Sequence, residues 1–390
     1  MMNSLQEIHK LSIKCITPVN ISDGTKLNAK EYLYDKTTGK VYFLNHLLWH
    51  QFIYTHKLLA AYERYMLDRR EKKSLYEWLQ GFRYDIKAVN GAIKSSADAE
   101  VKLSVVNEKN TVNDIVCQAK LINGEAYIPG SSIKGVIRTA IIYGLLHKNN
   151  AVKNKYWAQV SRNVNTTFVK DKDWKNLVSN LEEELLHKLI LVNDKNQAVK
   201  CHNAVCSVMR GISCSDAYSD SAVSTSVLQK IDLTFDRNLQ SKKNKISVFR
   251  ECIAPETVFN FTINIDKTML TEIGINSLDD ILDAVNNYFK FVNDMLYSAF
   301  GNEYGNLFSE TEKANIYLGG GTGFLTKTII AALAPNMYEA ATAIKMLMDK
   351  KFSKHKHRNL DKKISPRTLK ATTYKNKECL MGLAVIYKNE

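Results

Sequence analysis

The chain has 390 residues, of which 54 are lysine or arginine and 40 are aspartate or glutamate, so its formal net charge is +14. With 45% hydrophobic and 24% charged residues, the composition is that of a folded protein and excludes a disordered polycation. The length predicts two domains, since domains usually have about 100–200 residues. The positive excess favours a nucleic acid as the partner over an anionic membrane surface.

The sequence shows no sign of a membrane or secretory protein. No apolar run approaches the roughly 20 residues of a membrane span, and the polar segment 1–10 lacks the apolar stretch of a signal peptide. The seven cysteines are odd in number and scattered, which indicates reduced thiols and not a disulfide framework. We therefore expect a cytoplasmic protein with no contact to membranes.

Hydrophobic periodicity predicts strands and helices along the whole chain. The first part is expected to contain a strand at 8–16, a hairpin over 32–44, a long amphipathic helix at 45–70, a short helix at 74–80, strands at 99–106 and 114–121, and a tight turn at 123–124. The second part is expected to contain helices at 133–147 and 174–191, strands at 205–209 and 227–233, a hairpin of 246–249 with 258–265, a helix at 276–300, a strand at 316–318, helices at 325–333 and 338–350, and a closing strand pair of 368–374 with 379–387. This order favours an α+β fold with antiparallel sheets over a doubly wound parallel sheet.

The positive charge is concentrated towards the end of the chain. Residues 350–377, here called the basic strip, contain eleven lysines and arginines and one acid, Asp361, so they carry +10 of the +14. Smaller basic groups occur at 64–73 and 237–250. A strip of this kind is either a solvated loop or a surface that holds a phosphate backbone.

The stretch Pro-Gly-Ser-Ser-Ile-Lys-Gly at 129–135 opens a predicted helix. A helix start of this type exposes N–H groups and hydroxyls at the positive end of the helix dipole. Lys134 and Arg138 are four residues apart and share one helix face, so together they could hold a phosphate. A capped helix with solvated basic residues is the alternative. Ser131-x-x-Lys134 also fits the nucleophile pattern of penicillin-binding enzymes, but their Ser-Asp-Asn and Lys-Thr-Gly tripeptides are missing.

A second glycine-rich segment, Gly-Gly-Gly-Thr-Gly at 319–323, follows a predicted strand. It is not a P-loop, because Lys327 is preceded by Thr326 where that loop has glycine, and the third glycine of the dinucleotide fingerprint is missing. Four glycines in five positions let another polymer backbone approach closely. The alternative is a tight turn within the sheet.

No constellation of residues indicates catalysis or a metal site. The group Cys201, His202, Cys206 and Cys214 has no Cys-x2-Cys pair, so ordinary reduced cysteines are favoured over zinc ligands. We expect no catalytic residue, no bound metal and no cofactor.

The two glycine-containing motifs resemble those of the RAMP superfamily of CRISPR-associated proteins. Segments 17–21, 249–253 and 365–370 occur in the order typical of one branch, the fifth Csm subunit of type III-A effector complexes. The resemblance covers essentially the whole chain. It departs from the usual pattern at Ser22-Asp23-Gly24 and at Pro255-Glu256, so no contact is transferred to Asn20 or Glu256.

The resemblance implies a fold and a role. The fold would be two ferredoxin-like (RRM-like) domains with antiparallel sheets and inserted helices, which we place at 1–235 and 236–390. The role would be that of a non-catalytic subunit that binds and caps the 3′ region of crRNA and supports its maturation. Its partners would be crRNA, the repeated RAMP backbone subunit, the small helical subunit, nearby target RNA and trimming nucleases of the host.

The residues expected to line the RNA path come from both motifs, from the basic strip and from one further basic position. They are Gly130, Ser131, Ser132, Lys134, Gly135, Arg138, Arg250, Gly319, Gly320, Gly321, Gly323, Lys327, Arg367 and Lys370. One alternative is a metal-dependent endoribonuclease that processes precursor crRNA through His355, His357, Asp216 and Asp220. A structural adaptor that holds protein partners through the helix at 45–70 is compatible with the first role.

Overall fold

The computed structural model describes residues 6–100, 112, 114–166, 171–195, 197–198, 202–235 and 241–389. Within these ranges the chain mixes helices with two sheets, so the predicted α+β class is confirmed. No helix among the described residues is long and apolar enough to cross a membrane.

The helices and strands are numbered in chain order. The strands are β1 (Gln6–Cys15), β2 (Lys26–Leu27), β3 (Tyr32–Asp35), β4 (Lys40–Leu44), β5 (Ile93–Glu100), β6 (Ile115–Val116), β7 (Ile212–Cys214), β8 (Thr225–Phe235), β9 (Ser241–Ile253), β10 (Val258–Asp266), β11 (Ile316–Tyr317), β12 (Leu369–Tyr374), β13 (Lys377–Leu380) and β14 (Leu383–Lys388). The α-helices are α1 (His46–Thr55), α2 (Leu59–Leu67), α3 (Leu75–Gln80), α4 (Gly130–Lys148), α5 (Asn150–Asn165), α6 (Asp171–Leu186), α7 (Lys267–Leu270), α8 (Leu278–Tyr304), α9 (Ile330–Leu333), α10 (Met337–Lys351) and α11 (His357–Leu360).

The first sheet is antiparallel, with the strand order β11-β14-β1-β10-β7. Alternate residues of its central strand, such as Leu11 and Ile13, are buried in the largest core. The amphipathic helices α4 and α8 pack together and contribute Ile137 and Val285 to the same core. The sheet therefore holds α4 and α8 in fixed positions beside its strands.

The second sheet is larger and mixed, with the order β2-β6-β9-β8-β5-β4-β3. Strand β12 pairs with both β8 and β13, whereas the β5–β8 and β6–β9 pairs are parallel. Helices α1–α3 cover β3 and β4 through a separate core that includes Leu33, Trp49 and Leu75. Ile231 and Leu233 of β8 belong to the largest core, which is therefore shared by both sheets.

The predicted helix at 45–70 is wrong as a single helix, because the chain turns between α1 and α2. Lys57 has φ of +58°, and the Leu58 N–H donates back to the carbonyl of Ile53. Leu58 is buried in the same core as Trp49. The turn allows both short helices to bury an apolar face, which one straight helix would not allow.

The predicted hairpin of 246–249 with 258–265 is wrong, and the closing pair of 368–374 with 379–387 is confirmed only in its first part, where β12 pairs with β13. Strand β9 pairs with β8, and β10 pairs with β1. Within 246–265 the chain therefore passes from the second sheet to the first and does not form a hairpin. The segment 379–387 is likewise divided at Gly382 into β13 of the second sheet and β14 of the first. Hydrophobic alternation is the same in either sheet, so it does not reveal this change of partner.

Several other predicted elements differ in type or length. The strand at 205–209 is wrong: the chain forms 3-10 turns there, because the side chains of Asn203 and Ser207 accept hydrogen bonds from the N–H groups of Val205 and Met209. The helix at 325–333 is reduced to α9, and the strand at 114–121 to β6. Of the strand at 99–106, only 99–100 falls within the described residues. The remaining predicted helices and the hairpin over 32–44 are confirmed within a few residues.

Each sheet takes strands from both sides of residue 235. The antiparallel pair β8–β9 itself spans this position. The predicted division into 1–235 and 236–390 therefore does not separate the two sheets, and it stays a prediction.

A buried ion pair lies inside the second sheet. The Glu251 side chain is 1% exposed, and its Oε1 lies 2.5 Å from Nζ of Lys120, whose side chain is 11% exposed. The same carboxylate accepts hydrogen bonds from the Thr225 hydroxyl and the Gln118 N–H. A buried charge pair is tolerated only when both charges are satisfied in this way.

We expect Glu251→Gln to lower the free energy of unfolding by about 3–5 kcal/mol, because the Lys120 ammonium is left buried without its counter-charge. Denaturant unfolding followed by circular dichroism measures the change. The matched control is Glu378→Gln, which removes an ion pair with Lys243 on the surface and should cost no more than about 1 kcal/mol. Equal losses in the two variants would contradict the expectation.

Candidate nucleic-acid interface

The glycine-rich loop at 318–323 packs directly on the loop at 17–21. The Gly320 N–H donates to the Asn20 carbonyl at 2.6 Å, and Gly319 has φ of +80°. A Cβ on Gly319 would overlap that same carbonyl oxygen. The contact that requires glycine at 319 is therefore internal to the protein, as the tight-turn alternative supposes.

Arg250 lies beneath this loop. Its Nη1 donates to Oδ1 of Asn20 at 2.9 Å, and a Cβ on Gly320 would come within 2.7 Å of the same Nη1. The Nε atom is buried without a hydrogen-bond partner in the described part of the chain. Burial lowers the pKa of Arg250. The loop thus covers a cation whose hydrogen-bond partner among the described residues is the neutral amide of Asn20.

Lys327 closes the other side of the loop. Its Nζ donates to the Gly319 carbonyl at 2.5 Å. Burial, and after it the charge of Arg250, lowers the pKa of Lys327. Two positive groups are therefore fixed beside the glycine-rich loop by neutral oxygen atoms.

The two sequence motifs face each other across one cleft, here called the RAMP-motif cleft. Its volume is about 250 Å³. Ser132, Gly135 and Thr139 of α4 form one wall, and Gly319 and Lys327 form the opposite wall. Apolar residues of α8 form the floor. The fold thus brings together segments that are almost 190 residues apart in sequence.

The start of α4 already has an anionic partner. The Gly130 N–H donates to Oδ1 of Asp216 at 2.7 Å, and a Cβ on Gly130 would overlap the Cys214 carbonyl. Gly130 is buried, whereas Ser131 is exposed and Ser132 lines the cleft. The carboxylate of the chain itself occupies the position at which a phosphate was expected.

Lys134 and Arg138 lie in different surroundings although they share a helix face. Arg138 forms an ion pair with Glu182 of α6. Lys134 is half-buried near Cys214, and burial lowers its pKa; it has no ion pair within the part of the chain that the structure describes. Of the two, Lys134 is the one whose charge is not compensated.

A second cavity, here called the basic pocket, contains Gly323, Arg367 and Lys370. Its volume is about 460 Å³. Arg367 donates to the buried carboxylate of Asp361 at 2.7 Å, and Nζ of Lys370 donates to Asp232 at 2.8 Å. Three predicted RNA contacts thus lie together, but two of them already have carboxylate partners.

The basic strip is partly used to hold the fold together. Lys350 donates to backbone carbonyls at the end of α5, and Lys363 and Lys377 form ion pairs with Glu303 and Glu310. Other members have no ion pair within the described ranges; they are Lys351, Lys354, Lys356, Arg358, Lys362 and Lys375. The basic strip is therefore attached to the fold at Lys350, Lys363 and Lys377. Among the described residues, its charges without an ion pair are concentrated at 351–362.

The side chains of three of the four residues of the endoribonuclease alternative have polar partners within the protein. Asp216 caps α4, Asp220 accepts from Asn260 at 2.6 Å, and His357 is paired with the buried Asp361 at 2.8 Å. In the described ranges, no group of three or more histidines, cysteines or acids could hold a metal ion. Cys201 lies outside the described residues.

Asn20 and Asp232 contribute to these sites although neither was predicted to do so. Asn20 is fully buried and joins Arg250 to the glycine-rich loop. The segment 17–21, which resembles the family pattern, was the signal for Asn20. Asp232 is an acidic residue within the largely buried strand β8. An acid at such a position could have indicated its contribution to the site from sequence.

Comparison with known proteins shows the family of this chain. The sequence profile of the RAMP superfamily matches residues 12–325, and the chain belongs to this superfamily. Among its relatives are proteins described as "CRISPR system Cms protein Csm5". The one from Mycobacterium tuberculosis (strain H37Rv) is 23% identical over 392 residues and covers 96% of both chains. The one from Enterococcus italicus is 22% identical over 35% of this chain and 43% of its own. The resemblance to the fifth Csm subunit of type III-A CRISPR systems is therefore confirmed.

Two solved structures share the fold. One is a chain in the cryo-EM structure of a Csm–crRNA–target RNA ternary complex of a type III-A CRISPR-Cas system, with a TM-score of 0.60, 18% identity, and coverage of 97% of this chain and 100% of that one. The other is the crystal structure of T. onnurineus Csm5, with a TM-score of 0.56, 17% identity, and coverage of 96% and 99%.

We expect Gly319→Ala to destabilise the protein by at least about 1–3 kcal/mol, because alanine would occupy a left-handed conformation and its Cβ would also displace the Asn20 carbonyl. Denaturant unfolding measures the loss. The matched control is Gly144→Ala in α4, where a Cβ meets no neighbouring atom; that variant should keep or slightly raise stability. Wild-type stability of Gly319→Ala would disprove the requirement for glycine.

Proposed function

We propose that the chain is a non-catalytic, RNA-binding subunit of a type III-A Csm ribonucleoprotein. It binds and caps the 3′ region of crRNA and supports crRNA maturation and complex assembly in antiviral defence. The observation that carries this proposal is the set of three partly buried cations, Lys134, Arg250 and Lys327, around the two RAMP motifs. In the described part of the chain, none of the three has a carboxylate partner.

Physical chemistry supports a phosphate backbone as the missing partner. Moving a cation out of water is costly unless an opposite charge compensates it, and burial lowers the pKa of all three groups. A bound phosphate would supply the compensating charge. Contacts to phosphates position an RNA without reading its sequence, which suits a subunit that must accept guides of any sequence.

The comparisons support the same role. The relatives carry the name Csm5, and the structural neighbour from the ternary complex comes from an assembly that contains crRNA and target RNA. By analogy, the partners of this chain are crRNA, the repeated RAMP backbone subunit and the small helical subunit, with target RNA nearby and host nucleases trimming the crRNA. The site of action is the cytoplasm.

We also propose a division into domains and a surface that contacts a protein partner. The chain comprises two ferredoxin-like domains, 1–235 and 236–390, and each sheet takes strands from both of them. The helices α1 and α2 present exposed apolar side chains, among them Leu47, Tyr54 and Leu67. Such a face suits contact with a neighbouring protein subunit.

We expect the double substitution Lys134→Glu and Lys327→Glu to weaken crRNA binding and to lower the slope of log affinity against log salt by about 1 for each phosphate that the variant no longer binds. Fluorescence anisotropy with labelled crRNA, between about 50 and 200 mM salt, gives both quantities. The matched control is Lys72→Glu with Lys73→Glu, two lysines near α3 and outside the cleft. If the first variant keeps the wild-type slope and retains crRNA on purification, the proposal is wrong.

The charge of Lys370 in the basic pocket depends on pH, and the affinity for crRNA is expected to depend on that charge. Burial and the neighbouring charge of Lys230 lower the pKa of Lys370 to about 8, against the opposing effect of Asp232. Lys370 is therefore charged below that pH and neutral above it. Lys230 and Asp232 on β8 face this group, and Arg367, His355 and His357 line the rest of the pocket.

We expect the affinity for crRNA to fall by about tenfold as the pH rises through 8, because one charged hydrogen bond to phosphate is lost. Anisotropy titrations at a series of pH values measure the fall. Lys370→Arg keeps its charge over the whole range and should remove the dependence. If the affinity of Lys370→Arg for crRNA falls with pH as steeply as that of the wild type, another group is responsible for the pH dependence.

A further inference from the structure

The walls of the basic pocket differ in chemistry. Lys230, Asp232 and Lys370 form a charged wall, whereas Phe324, Phe352 and His355 bring aromatic rings to the same cavity. Gly323 and Thr368 also line the cavity. A cavity of about 460 Å³ lies within the range of pockets that hold small polar ligands.

The charged wall has one uncompensated positive charge. Nζ of Lys230 and Nζ of Lys370 lie 3.3 and 2.8 Å from the same oxygen of Asp232, which is 7% exposed. Arg367 does not add to this excess, since Asp361 neutralises it. The Lys370 ammonium donates to Asp232 and Thr368, so its third N–H is available to a ligand. The wall is therefore suited to one additional anion.

The aromatic wall contains a phenylalanine that is poorly buried. Phe352 ends helix α10 and is 45% exposed, although it stands among the lysines of the basic strip. Its ring centroid is 6.0 Å from that of His355, which in turn stacks on His357 with an interplanar angle of 8°. An exposed ring beside a positive wall matches the surfaces on which proteins stack single-stranded bases.

A groove connects the basic pocket to the RAMP-motif cleft. Thr139 and Lys327 line both the cleft and the groove, and Phe324, Met348 and Phe352 line both the groove and the basic pocket. A chain that lies in the cleft can therefore continue into the pocket without leaving the surface. This continuity favours a nucleotide of the same RNA over an unrelated ligand.

We infer that the basic pocket binds one nucleotide of the bound RNA, with its phosphate at Lys230 and Lys370 and its base stacked on Phe352 beside His355. The inference rests on the proposed RNA-binding function and extends it, because it assigns a base-binding site outside the two RAMP motifs. Stacking needs only the face of a base, so the site accepts any of the four bases.

The test is photo-crosslinking of the full chain to crRNA that carries 4-thiouridine, followed by mass spectrometry of the crosslinked peptides. We expect crosslinks to the peptide that contains Phe352 and His355. Phe352→Ala should remove these crosslinks and weaken crRNA binding by about 5- to 150-fold, whereas Phe352→Trp should keep both. The matched control is Phe82→Ala, which removes a phenylalanine of 40% exposure in the segment after α3.

The outcomes separate this inference from the proposed function. If Phe352→Ala binds crRNA like the wild type and no crosslink forms at the pocket, the inference is overturned while the RNA-binding function stands. If Phe352→Ala reduces only the recovery of a protein partner, the pocket is a protein contact and the inference is again overturned. If the wild-type chain and its complex bind no crRNA, the proposed function fails as well.

Discussion

The side chain and backbone of Asn20 connect three segments that are far apart in sequence. The Nδ2 group donates to the Glu251 carbonyl, Oδ1 accepts from Arg250, and the backbone carbonyl accepts from Gly320. An unpaired amide in this position would be costly, so the contacts to β9 hold the Asn20 side chain in place. The Asn20 carbonyl in turn fixes the glycine-rich loop through Gly320, and that loop forms one wall of the RAMP-motif cleft.

The cations near the two cavities fall into two groups. Arg138, Arg367 and Lys370 have carboxylate partners of the same chain, so their first contribution is to the fold. Lys134, Arg250 and Lys327 contact neutral groups or none, within the described residues. The net charge does not reveal this difference, which places the uncompensated positive charge of these three residues beside the cleft.

Local signals predicted much of the fold. Hydrophobic periodicity placed α3 and α8 within a few residues of their observed bounds, because this pattern depends on residues that are close together in sequence. Strand pairing was predictable for the hairpin of β3 with β4 but not where the chain changes sheets, since β9 and β10 read as a hairpin yet belong to different sheets. The candidate site shows the same limit. Both motifs were identified from sequence, but the Glu182 partner of Arg138, 44 residues away, depends on tertiary packing.

The position of β14 has a consequence for the order in which the chain can fold during synthesis. This strand lies between β11 and β1 in the first sheet, although β1 is made first and β14 is made more than 360 residues later. One edge of β1 therefore has no partner strand until β14 has been synthesised. Long-range pairing of this kind is slow and exposes strand edges to aggregation. The first sheet, which holds α4 and α8 in position, is therefore completed only after β14 has been made.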